Sequence, residues 1–224
     1  MDNGTGSDLQ AEFYERIYPQ LTAGGSQGRY HAFTHRLLEK PFPDSASFPT
    51  VLEVGAGTGE HLPFVRHQFD EYVMSDVRDA SPEHPKPRVR FVQTGAESLP
   101  FEDDSFDRVL ATCLLHHLRE PMRALDEWRR VTRPGGVVSV MIAADPGMTF
   151  RAVRAVTSAR KIRRLGFEHG ATLHALEHRN HAGSLHQMIG WAFRRDELTA
   201  RGFPLRRADW WNVNLLSVYH AKVR

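Results

Sequence analysis

The stretch VLEVGAGTG, residues 51–59, is the most informative sequence in the chain for deciding the fold. It begins as a short, mostly apolar strand and continues into three glycines at alternate positions. Glycine lets the backbone turn sharply and approach a ligand closely, and the start of a following helix would offer unpaired N–H groups to polar atoms. The stretch therefore predicts a nucleotide-cofactor turn between a strand and a helix.

Two acidic residues indicate which cofactor this turn would hold. A carboxylate at Glu53, just before the glycines, would repel a pyrophosphate but could attract the cationic amino group of a methionine moiety. Glu60 occupies the position where the dinucleotide fingerprint G-x-G-x-x-G has its third glycine. Both residues favour S-adenosylmethionine over a dinucleotide, and an NAD(P)-dependent oxidoreductase is the alternative enzyme class.

Length and composition are those of an ordinary globular protein. The 224 residues can bury one substantial core. No apolar run is long enough to span a bilayer, and residues 1–10 lack the pattern of a signal peptide, so we expect a cytoplasmic location. The formal net charge is only +2. We expect a monomer or homodimer with a small-molecule acceptor as its partner, and no binding to nucleic acid or membrane.

Cysteine and histidine usage gives no sign of a metal centre. Cys113 is the lone cysteine and lies in an apolar run, so we interpret it as an inert core thiol. The chain has 13 histidines, but no pair has the H-E-x-x-H arrangement, and the adjacent His116 and His117 would point apart on a helix. The sequence predicts no metal.

Strand and helix patterns alternate after the glycine turn, which is typical of a parallel sheet with right-handed crossovers. Two closely connected strand-like runs at the end of the chain predict an antiparallel pair whose last strand closes the sheet edge. The predicted fold class is α/β, a doubly wound, Rossmann-like, mostly parallel seven-stranded sheet with an antiparallel last strand. The predicted strands are residues 50–54, 71–75, 89–93, 106–112, 136–143, 203–210 and 212–223; the predicted helices are 8–21, 30–39, 60–68, 121–132 and 195–201.

Three parts follow from this pattern. Residues 1–45 form an N-terminal helical cover with a break at 24–28, residues 46–145 and 195–224 form the core, and residues 146–194 form a helical cap inserted after the fifth strand. The basic tract 151–164 in the cap is interpreted as the solvated face of an amphipathic helix, with attraction of an anionic substrate as the alternative.

The carboxyl ends of the strands are where open parallel sheets bind ligands. Asp76 follows the second strand, and its carboxylate could accept hydrogen bonds from both ribose hydroxyls; a turn-capping role is the alternative. Val77 could lie against the adenine face, and backbone groups around Ala96 and Glu97 could pair with the adenine edge. Thr112, at the end of the fourth strand, would lie over the methionine portion.

Five segments in this order and spacing resemble the class I S-adenosylmethionine-dependent methyltransferases of the small-molecule type. The resemblance covers about residues 50–143 and implies S-adenosyl-L-methionine as the cofactor and S-adenosyl-L-homocysteine as its product. The matching segments are residues 51–59, Asp76, 95–101, 105–118 and 133–140.

The resemblance also assigns roles to residues. It implies that Glu53 and Gly55 bind near the methionine amino group, and that Gly57 and Gly59, with Ala56 in the same turn, make room for the cofactor. Asp76 would hold the ribose, Ala96 and Glu97 would flank adenine, and Thr112 would face the sulfonium. One position departs from the pattern. Many relatives carry an acid where Gly95 stands, and here Glu97 or the backbone would have to make that contact.

Catalysis needs little from the protein once the methyl group is on a sulfonium. The enzyme must align the nucleophile and exclude water, and a base is required only for an acceptor that arrives protonated. The candidate catalytic residues are His116, after the fourth strand, and Glu177 and His181 in the cap, each with a structural role as the alternative. Tyr14 in the N-terminal cover could close over the cofactor, or could pack in the core.

The predicted function is methyl transfer to oxygen or nitrogen of a small acceptor, as in a tailoring step of a biosynthetic pathway. A peptide or protein acceptor stays open, and a non-catalytic scaffold that keeps the fold is a third class. Nucleobase amino methylation is not expected, because no Asn-Pro-Pro-Tyr-type motif follows the fourth strand.

Overall fold

The computed structural model describes residues 6–18, 20, 25–79 and 87–224. In this part of the chain seven strands form one sheet. Their bounds are β1 Thr50–Val54, β2 Glu71–Asp76, β3 Val89–Gln93, β4 Phe106–Thr112, β5 Thr132–Ala143, β6 Glu197–Phe203 and β7 Leu216–Lys222. The first five strands match the predicted ones, with small differences at the ends of β2 and at the start of β5.

The sheet has the strand order β3-β2-β1-β4-β5-β7-β6. Strands β1 to β5 pair in parallel, and β7 runs antiparallel to both of its neighbours, with Val140 of β5 opposite Tyr219 of β7. The predicted doubly wound sheet with an antiparallel last strand is therefore confirmed. The prediction that the last strand closes the sheet edge is wrong, because β7 lies between β5 and β6 and the edge strand is β6.

Helices flank this sheet. Their bounds are α1 Gly6–Glu12, which continues as a π-helical turn Phe13–Ile17, α2 Gly25–Glu39, α3 Pro121–Val131, α4 Met148–Val156, α5 Ser158–Arg164, α6 Gly170–Glu177 and α7 Ala182–Ala192. The prediction of a break over residues 24–28 is wrong from Gly25 onward, where α2 begins; Gly24, and Leu21 at the predicted end of the first helix, lie outside the described residues. No helix within the described ranges is long and apolar enough to cross a membrane.

The predicted helix over residues 60–68 is wrong. This segment forms only a 3₁₀ turn, Leu62–Phe64, and Gln68 then makes a β-bridge with Ser47. Pro63 lies inside the turn and has no N–H to donate, which disfavours a continuing α-helix. The glycine turn is therefore not followed directly by an α-helix, and N–H groups for a ligand have to come from the turn itself.

Two predictions near the end of the chain are also wrong. The predicted helix 195–201 is largely β6, because its backbone pairs with β7 over seven register positions from Glu197 to Phe203. The predicted strand 203–210 is wrong beyond Phe203, which ends β6, because residues 204–210 form a loop that the Asn214 side chain organises. Its amide nitrogen donates to the Arg207 carbonyl at 2.7 Å, and its oxygen accepts from the Leu205 N–H at 2.9 Å.

Apolar side chains place the helices in three clusters, in one of which Leu38 of α2 packs with Val51 and Tyr72 of the sheet. Leu185 and Ile189 of α7 belong to the main core, together with Trp128 of α3 and Val138 of β5. A smaller cluster joins three helical segments that are far apart in sequence, and its members are Ile17, Ile162, Phe167 and Leu173. Ile17 of the N-terminal segment therefore packs against the helices that follow β5.

Candidate functional site

The glycine turn after β1 has a backbone that only glycine adopts easily. Gly55, Gly57 and Gly59 have φ angles of +69°, +51° and +86°, in the left-handed region. The space is also tight, since a Cβ at Gly57 would lie 2.9 Å from Glu60 Oε2 and one at Gly55 would lie 2.8 Å from Leu114 Cδ1. Both conformation and close packing explain the three glycines.

Glu53 lies at the end of β1 and is almost fully buried. The Tyr72 hydroxyl donates to Glu53 Oε2 at 2.7 Å, and the Ser75 hydroxyl donates to the Glu53 carbonyl at 3.1 Å. Burial raises the pKa of Glu53 to about 6, although the charge of His61 and the Tyr72 hydrogen bond act to lower it. A carboxylate has more lone pairs than this one donor uses, so Glu53 keeps the capacity to accept from a ligand ammonium group.

Asp76 lies against the glycine turn, as the sequence predicts. The Gly57 N–H donates to Asp76 Oδ2 at 3.0 Å, and the Arg78 N–H donates to Asp76 Oδ1 at 3.0 Å. The second of these bonds is a turn-capping contact of the kind expected from the alternative interpretation. The two roles are compatible because each carboxylate oxygen can accept a further hydrogen bond.

The residues predicted to flank adenine lie after β2 and β3. Val77 leaves 69% of its surface exposed, so its apolar side chain is uncovered next to Asp76. The Ala96 carbonyl accepts from Trp128 Nε1 at 3.2 Å, and Glu97 Oε1 accepts from the Glu120 N–H at 2.8 Å, directly before α3. Glu97 thus anchors α3, and its carboxylate keeps further lone pairs that could replace the acid missing at Gly95.

The end of β4 is shaped by an unusual backbone angle. Thr112 is half-buried and pairs with Met141 of β5. The next residue, Cys113, has φ of +53°, and its N–H donates to the Met141 carbonyl at 2.8 Å. Burial raises the pKa of the Cys113 thiol to about 11, which keeps it neutral near pH 7.

A row of contacts connects Asp76 with the helices. Arg78 Nε lies 3.6 Å from Asp76 Oδ1, and the Arg78 guanidinium lies 4.2 Å from the centre of the Tyr14 ring. The Tyr14 hydroxyl in turn donates to Glu177 Oε2 at 3.1 Å. Burial, followed by the charge of Glu177, raises the pKa of Tyr14, so its hydroxyl stays protonated. The cover and the segment after β5 therefore meet above β2.

Among the candidate catalytic residues, Glu177 is the one whose carboxylate lies within ion-pair distance of His117. Its Oε2 lies 2.9 Å from His117 Nδ1, and the Gln10 amide also donates to its Oε1. Burial would raise the pKa of Glu177, but the hydrogen bond and charge of His117 lower it to about 2. Glu177 is therefore ionised at neutral pH, and 31% of the His117 side chain remains exposed.

The other two catalytic candidates have different surroundings. His116 is fully buried, and its Nδ1 lies 2.8 Å from the Asn180 carbonyl, to which it can donate. Burial lowers the pKa of His116 to about 4, so the ring is neutral near pH 7. His181 is exposed at the N-cap of α7. The structure thus gives Glu177 a partner in His117, a histidine that the sequence did not favour over its neighbour.

Comparison with known proteins shows the family of the chain. A family model described as a methyltransferase domain matches residues 52–140. An uncharacterized methyltransferase from Mycobacterium sp. (strain KMS) is 32% identical over 182 residues, which cover 74% of this chain and 69% of that protein. A demethylmenaquinone methyltransferase from Clavibacter sepedonicus is 33% identical over 102 residues, which cover 43% of this chain and only 42% of that protein.

A solved structure shares the fold. It is the crystal structure of an S-adenosylmethionine-dependent methyltransferase from Thermotoga maritima, described as a possible histamine N-methyltransferase. Its TM-score is 0.65 at 16% identity, and the match covers 96% of this chain and all of that one (100%).

The family model and the 32% identical relative show that the chain belongs to the class I S-adenosylmethionine-dependent methyltransferase superfamily. The predicted superfamily and its cofactor, S-adenosyl-L-methionine, are confirmed.

Proposed function

We propose that this methyltransferase transfers the methyl group of S-adenosyl-L-methionine to oxygen or nitrogen of a small molecule. The acceptor would bind above the carboxyl ends of the strands, under α1 and α6. The observation that carries this proposal is the continuous row of contacts from Asp76 through Arg78 and Tyr14 to Glu177 and His117. This row brings the expected cofactor edge and a carboxylate–histidine pair to one place.

The cofactor-binding residues would act together in this proposal. The turn residues Gly55, Ala56, Gly57 and Gly59 would let the cofactor approach the backbone closely, because no side chain beyond Cβ stands there. Asp76 would accept hydrogen bonds from the ribose. The other residues proposed to contact the cofactor are Glu53 at the amino group, Val77, Ala96 and Glu97 at adenine, Thr112 at the sulfonium end, and Tyr14 above the ribose side.

His117 is the proposed general base, oriented by Glu177. If the proton is on Nδ1, which lies 2.9 Å from the Glu177 carboxylate, Nε2 would keep its lone pair. That lone pair could take the proton of an acceptor O–H or N–H while the acceptor atom attacks the methyl carbon. S-adenosyl-L-methionine would supply the methyl group, with its sulfur as the leaving group in a neutral thioether, and the proton of the acceptor would remain on His117 Nε2.

A small acceptor is favoured over a macromolecule by the cover above the site. Tyr14 and Gln10 come from the N-terminal segment and meet Glu177 of α6, so the pair lies under two helices that would limit access for a large acceptor. Demethylmenaquinone and histamine, for which the two related methyltransferases above are named, are small molecules. A peptide or protein acceptor remains the alternative.

Labelled cofactor would identify the acceptor. The purified protein is incubated with S-adenosylmethionine carrying a deuterated methyl group and with a cell extract separated into small-molecule and protein fractions. Mass spectrometry is expected to find the labelled methyl group on a small molecule, and not with the Asp76→Ala variant. Label confined to the protein fraction would support the alternative acceptor, and no label in either fraction would contradict the proposed function.

A further inference from the structure

Three potential metal ligands lie together beside the candidate site. Asp145 follows β5, His174 lies in α6, and His178 is the residue at the C-cap of α6. Asp145 Oδ2 is 3.1 Å from His174 Nε2 and 2.8 Å from His178 Nδ1. The three ligand atoms all lie within 4.8 Å of one another.

We propose that Asp145, His174 and His178 bind a divalent first-row transition metal ion such as Zn²⁺. Such ions bind histidine nitrogen and carboxylate oxygen at about 2.0–2.2 Å, so tetrahedral ligand atoms are roughly 3.3 Å apart. The two separations from Asp145 Oδ2, 2.8 and 3.1 Å, differ from this by only a few tenths of an ångström, and the two histidine nitrogens lie within 4.8 Å of each other. A small outward movement of the two rings would therefore admit the ion.

Backbone contacts hold the three residues in this arrangement. The His178 N–H donates to the His174 carbonyl at 2.9 Å, which keeps the two rings one helical turn apart on the same side of α6. The Asp145 carbonyl accepts from the Ala182 N–H at 2.8 Å, so the residue after β5 is fixed to the start of α7. An ion here would fasten α6 to the end of β5.

The surroundings shield the ligands from water. The side chains of Asp145, His174 and His178 are exposed by only 8%, 23% and 18%. The His178 ring stacks on His116, with ring centres 5.1 Å apart and an angle of 17° between the planes. Shielding of this kind strengthens electrostatic attraction between a cation and Asp145.

The donor set indicates which ions fit. Two imidazoles and one carboxylate suit Zn²⁺, Fe²⁺, Co²⁺ or Ni²⁺, whereas Mg²⁺ and Ca²⁺ prefer oxygen ligands.

Arg154 opposes binding because its charge interacts with Asp145, and burial lowers the pKa of this arginine. The carboxylate is contributed by a segment well before the two histidines, so the sequence shows no compact motif. This proposal replaces the sequence-based expectation that the chain holds no metal.

Titration of the chelator-treated, full-length protein with Zn²⁺ tests the proposal by calorimetry. We expect one ion per chain in the wild type. His174→Ala, His178→Ala and Asp145→Asn are each expected to lower the affinity at least roughly tenfold, since even residues that only support metal ligands change affinity by roughly 10- to 100-fold. His169→Ala is the matched control, because His169 is an exposed histidine at the start of the same helix; its affinity should equal that of the wild type.

Two further measurements distinguish the loss of a metal ligand from misfolding of a variant. Co²⁺ should give the visible absorption of a nitrogen- and oxygen-ligated ion in the wild type and in His169→Ala only. Zn²⁺ should raise the unfolding temperature of the wild type but not that of Asp145→Asn, a substitution that removes the negative charge and keeps the size of the side chain. An absence of Zn²⁺ binding in the wild type, or equal binding by all four variants, would overturn the proposal. Neither readout uses the methyl donor, so failure here leaves the proposed function untouched.

Discussion

Gly57 is the residue where backbone conformation and the proposed cofactor contact depend most directly on each other. Its φ of +51° costs little only for glycine, and its N–H donates to Asp76 Oδ2 at 3.0 Å. A side chain at this position would both strain the backbone and meet Glu60. At the residue scale, the turn and the acid that follows β2 therefore form one unit.

Gly57→Ala is expected to destabilise the fold by roughly 1–3 kcal/mol, the usual cost of a residue held in an unfavourable backbone region. Gly190→Ala is the matched control, because Gly190 lies in α7 and an added Cβ there meets nothing within 4 Å. It should stabilise the fold by up to about 1 kcal/mol, since alanine favours helix over glycine. Urea unfolding of both variants measures the difference, and equal effects would contradict the turn geometry.

Asp76→Ala is expected to weaken the binding of S-adenosyl-L-homocysteine by roughly 10- to 100-fold, because hydrogen bonds to a charged group contribute roughly 1.5–3 kcal/mol each. Calorimetry measures the affinity. Asp209→Ala serves as the control, since Asp209 is exposed and pairs with Arg207 in the loop after β6. Unchanged affinity in Asp76→Ala would show that the carboxylate only caps the turn.

Three elements meet at Glu177, and this meeting is the element-scale feature of the site. Tyr14 comes from the π-helical turn after α1, Glu177 ends α6, and His117 comes from the loop after β4. Neither of the two contacts is local in sequence. Removing the charge of Glu177 should therefore disturb the orientation of His117 without touching the glycine turn.

Glu177→Gln is expected to lower kcat for a protonated acceptor at least tenfold, because general-base catalysis contributes roughly 10²- to 10⁴-fold and depends on the orientation of the base. The KM for S-adenosylmethionine should stay near that of the wild type. Steady-state kinetics with the acceptor found by labelling measures both constants. Glu197→Gln, at an exposed position in β6, is the control, and a change in KM alone would contradict an orienting role.

Some helices and strands could be predicted from the sequence and others could not. Apolar runs predict β1, β2, β4 and the second half of β5 because these residues are buried on both faces of the sheet. Strand β3 lies at the sheet edge and is only partly buried. The prediction of a helix after the glycine turn is wrong because this segment contains Pro63. The prediction of a helix over residues 195–201 is wrong because β6 is a strand only through its pairing with β7. The partnership of Glu177 with His117 depends on how α6 packs near the loop after β4, which no local pattern encodes.

At the scale of the whole molecule, a buried ion pair fixes α2 to the sheet. The Arg108 guanidinium of β4 donates to both oxygens of Glu39 at 2.9 and 2.7 Å, and His61 Nε2 lies 2.9 Å from Glu39 Oε1. All three side chains are fully buried. Breaking such a pair leaves a buried charge without its partner.

Glu39→Gln is expected to lower the free energy of unfolding by roughly 3–5 kcal/mol at pH 7. Burial would raise the pKa of Glu39, but the hydrogen bond from His61 and the charge of Arg108 lower it from 4.5 to about 2. A lowered pKa means that this stabilisation is complete above about pH 4.5 and is lost as the pH falls toward 2. The variant should lack this part of the acid dependence.

Denaturant unfolding between neutral and acidic pH measures the effect. Glu71→Gln is the control, because Glu71 pairs with Arg90 at the surface and should change stability by less than about 1 kcal/mol. Equal acid dependence in Glu39→Gln and the wild type would contradict the role of the pair.

The central claim is that the glycine turn and Asp76 hold the methyl donor, and a crystal structure with S-adenosyl-L-homocysteine tests it most directly. We expect density for the ligand against Gly55, Gly57 and Gly59, with the ribose hydroxyls within hydrogen-bonding distance of the Asp76 carboxylate. Ligand density at another edge of the sheet, or a ribose that Asp76 does not contact, would contradict it.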